Sequence, residues 1–197
     1  MVAKINRGVS LYGAIVYNQQ KVDDATARII YENRMITDVT GNPEQVMRQT
    51  IWAFENYLLA NKNTEKPVLH ISLNPSLDDR LTDSQFADLA KEYMQKMGYG
   101  DQPYIVFKHK DIDREHLHIV SLRVDEQGRK LPHDFEARRS MEILRDLERK
   151  YGLHPSIKGQ EQTDREGLRK VNYSEGNVKQ QISSVARSCL RNYKCSS

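Results

Sequence analysis

Apolar positions recur along this chain with two different periods, and the switches between them lay out the elements. The opening stretch is the least decisive. Leu11, Ile15 and Val16 stand around Tyr12 and Tyr17, a pattern that fits either a strand or a short helix. Asn42-Pro43 then reads as a helix cap followed by proline at the first helical position. Behind it Val46, Thr50, Ile51, Phe54, Tyr57 and Leu58 keep helical spacing as far as Ala60. Residues 67–73, PVLHISL, are a short apolar run between polar loops and predict a strand. Thr82 and Gln85 make a capping-box pair ahead of Phe86, Leu89, Ala90, Tyr93, Met94 and Met97, which share one helical face. Gly98 stops that helix.

After the turn GYGDQP come two strands, Tyr104–His109 and His116–Val124, joined by a short charged loop. Glu126-Gln127-Gly128 marks another turn. A helix over 136–150 carries Met141, Leu144 and Leu147, and Gly152 ends it. Residues 154–174 are polar, and a last helix over 175–194 presents Val178, Ile182, Val185, Cys189 and Tyr193. Helices mixed with strands, one pair of them a tight hairpin, predict an α+β fold. Its expected centre is an antiparallel sheet with helices packed on one face, followed by a C-terminal helical extension. The expected division is a core over 1–153 and a polar, basic segment over 154–197, with the whole chain the front part of a longer one.

Composition narrows the class only a little. Hydrophobic residues are 38% of the chain, too many for wholesale disorder. No apolar run approaches the ~18 residues a membrane span needs, and the start MVAKINRGVSLYG lacks a secretory core, so the expected location is the cytoplasm. Cys189 and Cys195 sit too close to the end to staple a core and read as free thiols. The net charge of +3 says little, but Lys179, Arg187, Arg191 and Lys194 follow Gly176 with no acidic residue among them. Such a tail can meet phosphates.

The chemistry concentrates in HKDIDREHLH, residues 109–118, which holds three of the six histidines. Side chains alternate along a strand, so His116 and His118 point to one side while Leu117 and Ile119 point to the other. If the two strands pair, His109 is brought beside His116. Three imidazoles on a rigid hairpin, with positions left open, is a ligand pattern of a catalytic metal. Asp111 is the first choice to accept the second N–H of a ligand histidine and so orient it, with Asp113 and Glu115 as alternatives. His70 could face the same site but reads more simply as a core histidine, and His133 and His154 as loop residues.

The segment FKHKDIDREHLHIVSLRV resembles the third motif of conjugative relaxases, in the HUH endonuclease superfamily. That motif runs H-x-D-x-D-x-x-H-x-H, and every fixed position is filled. The flanking KEYMQKMGYGDQPYIVFKH and RRSMEILRDLERKYGL look like relaxases of Bacteroides-type mobile elements, so the resemblance reaches from Asn6 to Tyr193. Where such proteins often carry Asn after the His-x-His strand, this chain has Ser121 and Arg123. The resemblance implies an HUH palm fold and an enzyme that nicks and rejoins one DNA strand at a transfer origin through a 5′-phosphotyrosine. GAIVYNQQKV is similar to the family's first motif, which points to Tyr17 as nucleophile, with Tyr12 second and Tyr31 a distant third. The implied cofactor is Mg²⁺ or Mn²⁺ on His109, His116 and His118, although imidazole chemistry also suits Zn²⁺ or Ni²⁺. Implied partners are single-stranded or hairpin origin DNA, accessory mobilisation proteins and a coupling protein. Lys21, Arg165, Arg169, Lys170, Lys179, Arg187 and Arg191 are the candidate phosphate contacts. Competing readings are a rolling-circle initiator or transposase of the same superfamily, a non-catalytic nucleic-acid-binding module, and a zinc hydrolase with a deep apolar pocket.

Overall fold

The computed structural model describes residues 1–35, 43–61, 63–111, 114–155 and Ile182. Nine elements follow in the order β1 (Val2–Gly8), α1 (Leu11–Asp23), β2 (Ala27–Asn33), α2 (Pro43–Ala60), β3 (Val68–Asn74), α3 (Asp83–Lys96), β4 (Tyr104–His109), β5 (His116–Leu122) and α4 (Glu136–Tyr151). The ambiguous opening resolves as the helix α1. Ser10 caps it by accepting from the Gly13 N–H at 2.9 Å. The capping box on α3 forms as expected, with Thr82 and Gln85 exchanging side-chain and backbone bonds. The cap expected on Asn42 and the final helix, apart from the helical and exposed Ile182, lie outside the described residues.

The five strands form one sheet in the order β1-β3-β5-β4-β2, antiparallel throughout. The α+β class and its central antiparallel sheet are as the sequence predicts. Two strands were not expected, and both are edges. Strand β1 carries Lys4, Asn6 and Arg7 on a row with only Ala3 and Ile5 to pack inward. A register shift between Ile29 and Tyr31 breaks the alternation of β2. The predicted end of β5 at Val124 is two residues long. Arg123 leaves the ladder to donate its backbone N–H to Pro67 O at 2.8 Å, while Val124 makes an isolated bridge to Lys130.

Helices cover both faces of the sheet, where the sequence suggested one. On the first face α3 and α4 bring Phe86, Leu89, Met94, Leu144 and Leu147 against Leu69, Ile71, Val106, Leu117 and Ile119. On the second, α1 and α2 bring Leu11, Ile15, Phe54 and Tyr57 against Val68, Ile105, Phe107, Val120 and Leu122. The reason is in the central strands. Strand β4 is buried at every position and β5 at all but one, so a single helical layer would leave half of their apolar side chains in water.

Candidate metal centre and the helix beside it

In the β4–β5 hairpin His109 pairs with His116 and Phe107 pairs with His118. Directly opposed residues in a ladder share a face, so the three histidines rise together on the face that α1 and α2 only partly cover. Strand β3 adds His70, opposite Val120, and Ser72, opposite His118, to the same face. One nitrogen from each of His109, His116 and His118 lies within 4.8 Å of the others. The ring centres of His109 and His118 are 4.3 Å apart, and those of His116 and His118 are 5.0 Å apart.

Hydrogen bonds decide which nitrogen each ring keeps free. Asn18 of α1 donates its Nδ2 to Ala14 O at 2.7 Å, which turns its Oδ1 to His109 Nε2 at 2.9 Å. An amide oxygen only accepts, so His109 carries its proton on Nε2. Its Nδ1 is buried with no hydrogen-bond partner among the described residues. His116 donates Nδ1–H to the Arg114 carbonyl at 3.3 Å, leaving Nε2. His118 Nδ1 and His70 Nε2 are 2.7 Å apart; with His70 accepting, His118 also keeps Nε2. Burial pushes His109 down to about 4, against the pull of Asp111, and pushes His118 down to about 2. His116 and His70 are lowered by burial as well. Neutral imidazoles with ring nitrogens gathered this closely are what a divalent ion requires. These residues therefore fit the metal that the histidine pattern implies.

The carboxylates are distributed differently from the lone-orienter picture. Asp111 stands between Lys21, whose Nζ is 3.2 Å from Oδ2, and His116, whose Nε2 is 3.6 Å from Oδ1. The latter is beyond a hydrogen bond, and the bond that orients His109 comes from Asn18. Glu115 is held by Lys108 at 2.7 Å and Lys110 at 2.8 Å. Asp113 lies outside the described residues, as do Arg165, Arg169, Lys170, Lys179, Arg187 and Arg191.

Both tyrosine candidates ride on α1 and both are exposed, Tyr12 at 63% and Tyr17 at 47%. Their positions on the helix differ in a way that matters. Tyr17 directly precedes Asn18 and lies one turn before Lys21, so it flanks the two contacts that reach the histidine loop. Tyr12 sits on the opposite flank and about 7.5 Å farther back along the helix at ~1.5 Å per residue. Tyr31 pairs with Val106, whose side chain packs on the α3–α4 side of the sheet, away from the histidines.

Of the two alternatives the sequence leaves for His70, the register selects the one that faces the site rather than the core. A second site residue carries no mark in the histidine motif. Asn18 was not singled out, although it is the polar member of the stripe Leu11, Ile15, Asn18 and Val22, three of which are buried. A polar side chain on the buried stripe of a helix is the signal that would have found it.

A central antiparallel hairpin gathers on one sheet face three imidazoles that could hold a metal ion. The chain belongs to the relaxase family: the model described as Relaxase: MobA/VirD2-like, nuclease domain matches residues 17–153. That domain acts in DNA nicking during mobilisation, with the DNA of a transfer origin as its partner. Among curated proteins and among solved structures, nothing matches the chain. No helix among the described residues is long and apolar enough to cross a membrane.

Proposed function

We propose that this relaxase domain nicks one strand at a transfer origin by attack of Tyr17 on the scissile phosphate, with a divalent ion held by His109, His116 and His118. The observation that carries the reading is the convergence of three imidazoles, each with one ring nitrogen within 4.8 Å of the others, beside a His109 Nδ1 that is buried and has no hydrogen-bond partner among the described residues. A divalent ion held there would supply charge neutralisation at the phosphate and help orient it for attack. Mg²⁺ or Mn²⁺ fits a shell completed by phosphate and water oxygens, whereas imidazole preference alone would also accept Zn²⁺ or Ni²⁺.

The Tyr17 oxygen forms a bond to phosphorus as the P–O3′ bond breaks. The phenol proton is lost to water, and the departing 3′ oxygen takes one up. The 5′ phosphate stays on the tyrosine as an ester, so the step can run backwards and reseal the strand. An exposed tyrosine on a helix suits this task, because the phosphate of a single-stranded or hairpin segment can approach it. Lys21, held against Asp111 on the same flank, would meet the backbone next to the nick through its charge. Arg165, Arg169, Lys170, Lys179, Arg187 and Arg191 are further candidates for phosphate contacts on their charge alone, and accessory mobilisation proteins and a coupling protein would complete the assembly.

Labelled single strands tiled across the transfer origin, incubated with Mn²⁺, test the proposal. A protein–DNA adduct that survives denaturation, disappears in Tyr17→Phe and persists in Tyr12→Phe is the expected result. An adduct retained by Tyr17→Phe would move the nucleophile elsewhere. DNA binding with neither adduct nor cleavage under any divalent ion would favour the non-catalytic module instead.

A further inference from the structure

Asn18 is fully buried on the face that α1 turns to the sheet, a place where Leu11 and Ile15 set an apolar pattern. Burying an amide is unfavourable unless its atoms are paired, and here the pairing is directional. The bond from Nδ2 to Ala14 O locks the amide against flipping, so Oδ1 faces His109 Nε2. That fixes the tautomer of His109 and leaves Nδ1 as its only lone pair. His109 would therefore bind an ion through Nδ1, while His116 would use Nε2, as would His118 with His70 accepting its Nδ1–H. The same helix makes a second polar contact three residues on, from Lys21 to Asp111 at 3.2 Å. Both contacts end in the segment His109–Asp111, and Tyr17 is the residue immediately before the first.

We infer that Asn18 is a positioning residue with two effects: it holds His109 in the Nε2–H form with Nδ1 aimed at the ion, and it sets the placement of α1, and so of Tyr17, against the metal centre. The inference rests on the proposed metal reading and deepens it. Asn18 touches no reacting atom; it acts through His109 and through the helix it belongs to.

The test uses the full chain in four forms: wild type, Asn18→Ala, Asn18→Asp and His109→Ala. Long-range proton–nitrogen spectra of the metal-free protein read the tautomer of His109 directly, with no dependence on activity. The expected state is Nε2–H in the wild type and a mixture in Asn18→Ala. Mn²⁺ titration followed by electron paramagnetic resonance then reads affinity. Loss of such an outer partner weakens metal binding by about 10- to 100-fold, so that loss is expected for Asn18→Ala. Asn18→Asp retains an acceptor for the same proton and is expected to stay within about threefold of the wild type. Its second oxygen meets the Ala14 carbonyl, so it is read for affinity and not for stability. At saturating Mn²⁺ the nicking rate of Asn18→Ala is expected to remain below that of the wild type, which reports the placement of Tyr17.

A wild-type His109 found as Nδ1–H overturns the inference, and so does an Asn18→Ala protein that binds Mn²⁺ as the wild type does. Full nicking by Asn18→Ala at saturating metal overturns its second half. Should Asn18→Ala fail to fold, the wild-type tautomer and the Asp titration still decide. His109→Ala separates the two levels. If it binds Mn²⁺ as well as the wild type, the metal reading itself fails. If it loses the ion and Asn18→Ala does not, only the role of Asn18 falls.

Discussion

Each imidazole of the triad leans on a different partner: the Asn18 amide oxygen for His109, the Arg114 carbonyl for His116 and the His70 ring for His118, where His70 accepts if His118 is to keep Nε2 free. The last of these is open to a clean test. His70 lies in β3 between the buried Leu69 and Ile71, so leucine there keeps the size of a strand residue while removing the acceptor. His70→Leu is expected to stay folded and to weaken Mn²⁺ binding by about 10- to 100-fold, while His70→Gln, which restores an acceptor, recovers most of it. Mn²⁺ titration of the two variants checks this, and equal affinity in all three proteins would make His70 a packing residue after all. The gathering of the three histidines was legible in the sequence, because the spacing of two between His116 and His118 has one geometric meaning on a strand. Their supports were not. Asn18 is 91 residues from His109 in the chain, and only the docking of α1 on the sheet brings them together. The choice of Tyr17 came from the resemblance of its motif, since an exposed tyrosine beside apolar residues carries no chemical mark of its own.

The elements that hold this geometry were legible in proportion to how buried they are. Strands β4 and β5, helix α3 and helix α4 stand within two residues of their expected limits because their apolar periods are uninterrupted. The edges β1 and β2 have polar faces and, in β2, a shifted register, and neither shows a clear period. Turns, by contrast, announce themselves through glycine, and two of them carry unequal weight. Gly128 adopts φ +74°, and a β-carbon there would fall 2.1 Å from the Ala60 carbonyl oxygen at the end of α2. Asn61 Nδ2 also donates to the Gly128 carbonyl at 2.6 Å, so this turn pins α2 beside the sheet. Gly152, at φ +64°, ends α4 with nothing near its missing side chain. Gly152→Ala meets only the left-handed backbone cost, roughly 1–2 kcal/mol. Gly128→Ala adds a clash with fixed backbone and is expected to cost at least about 3 kcal/mol. Urea unfolding midpoints of the two variants check the order, and equal losses would show that α2 yields freely at its end.

At the scale of the whole domain, the second sheet face is divided between two uses. One half is sealed by α1 and α2 over Val68, Val120 and Phe107. The other half is a polar platform built in rows across three strands. Lys4 pairs with Ser72 and Ser72 with His118, while Asn6 pairs with His70 in the next row. Lys4 and Asn6 are exposed. With strands ~4.8 Å apart, Lys4 stands about 10 Å from His118 across the sheet. A strand of DNA whose phosphate occupies the metal centre would therefore cross β1 and meet this lysine. Lys4 has no part in the ligand set, so its contribution is electrostatic and indifferent to sequence. Lys4→Ala is expected to weaken binding to origin and unrelated single strands alike and to flatten the dependence of log affinity on log salt by about 0.7, the share of one phosphate contact on single-stranded DNA. Mn²⁺ affinity should be untouched. Fluorescence anisotropy at several salt concentrations measures both affinity and slope. An unchanged slope would place the DNA path over the α1 side of the histidines, past Tyr17 and Lys21 only, and leave the β1 edge free of DNA.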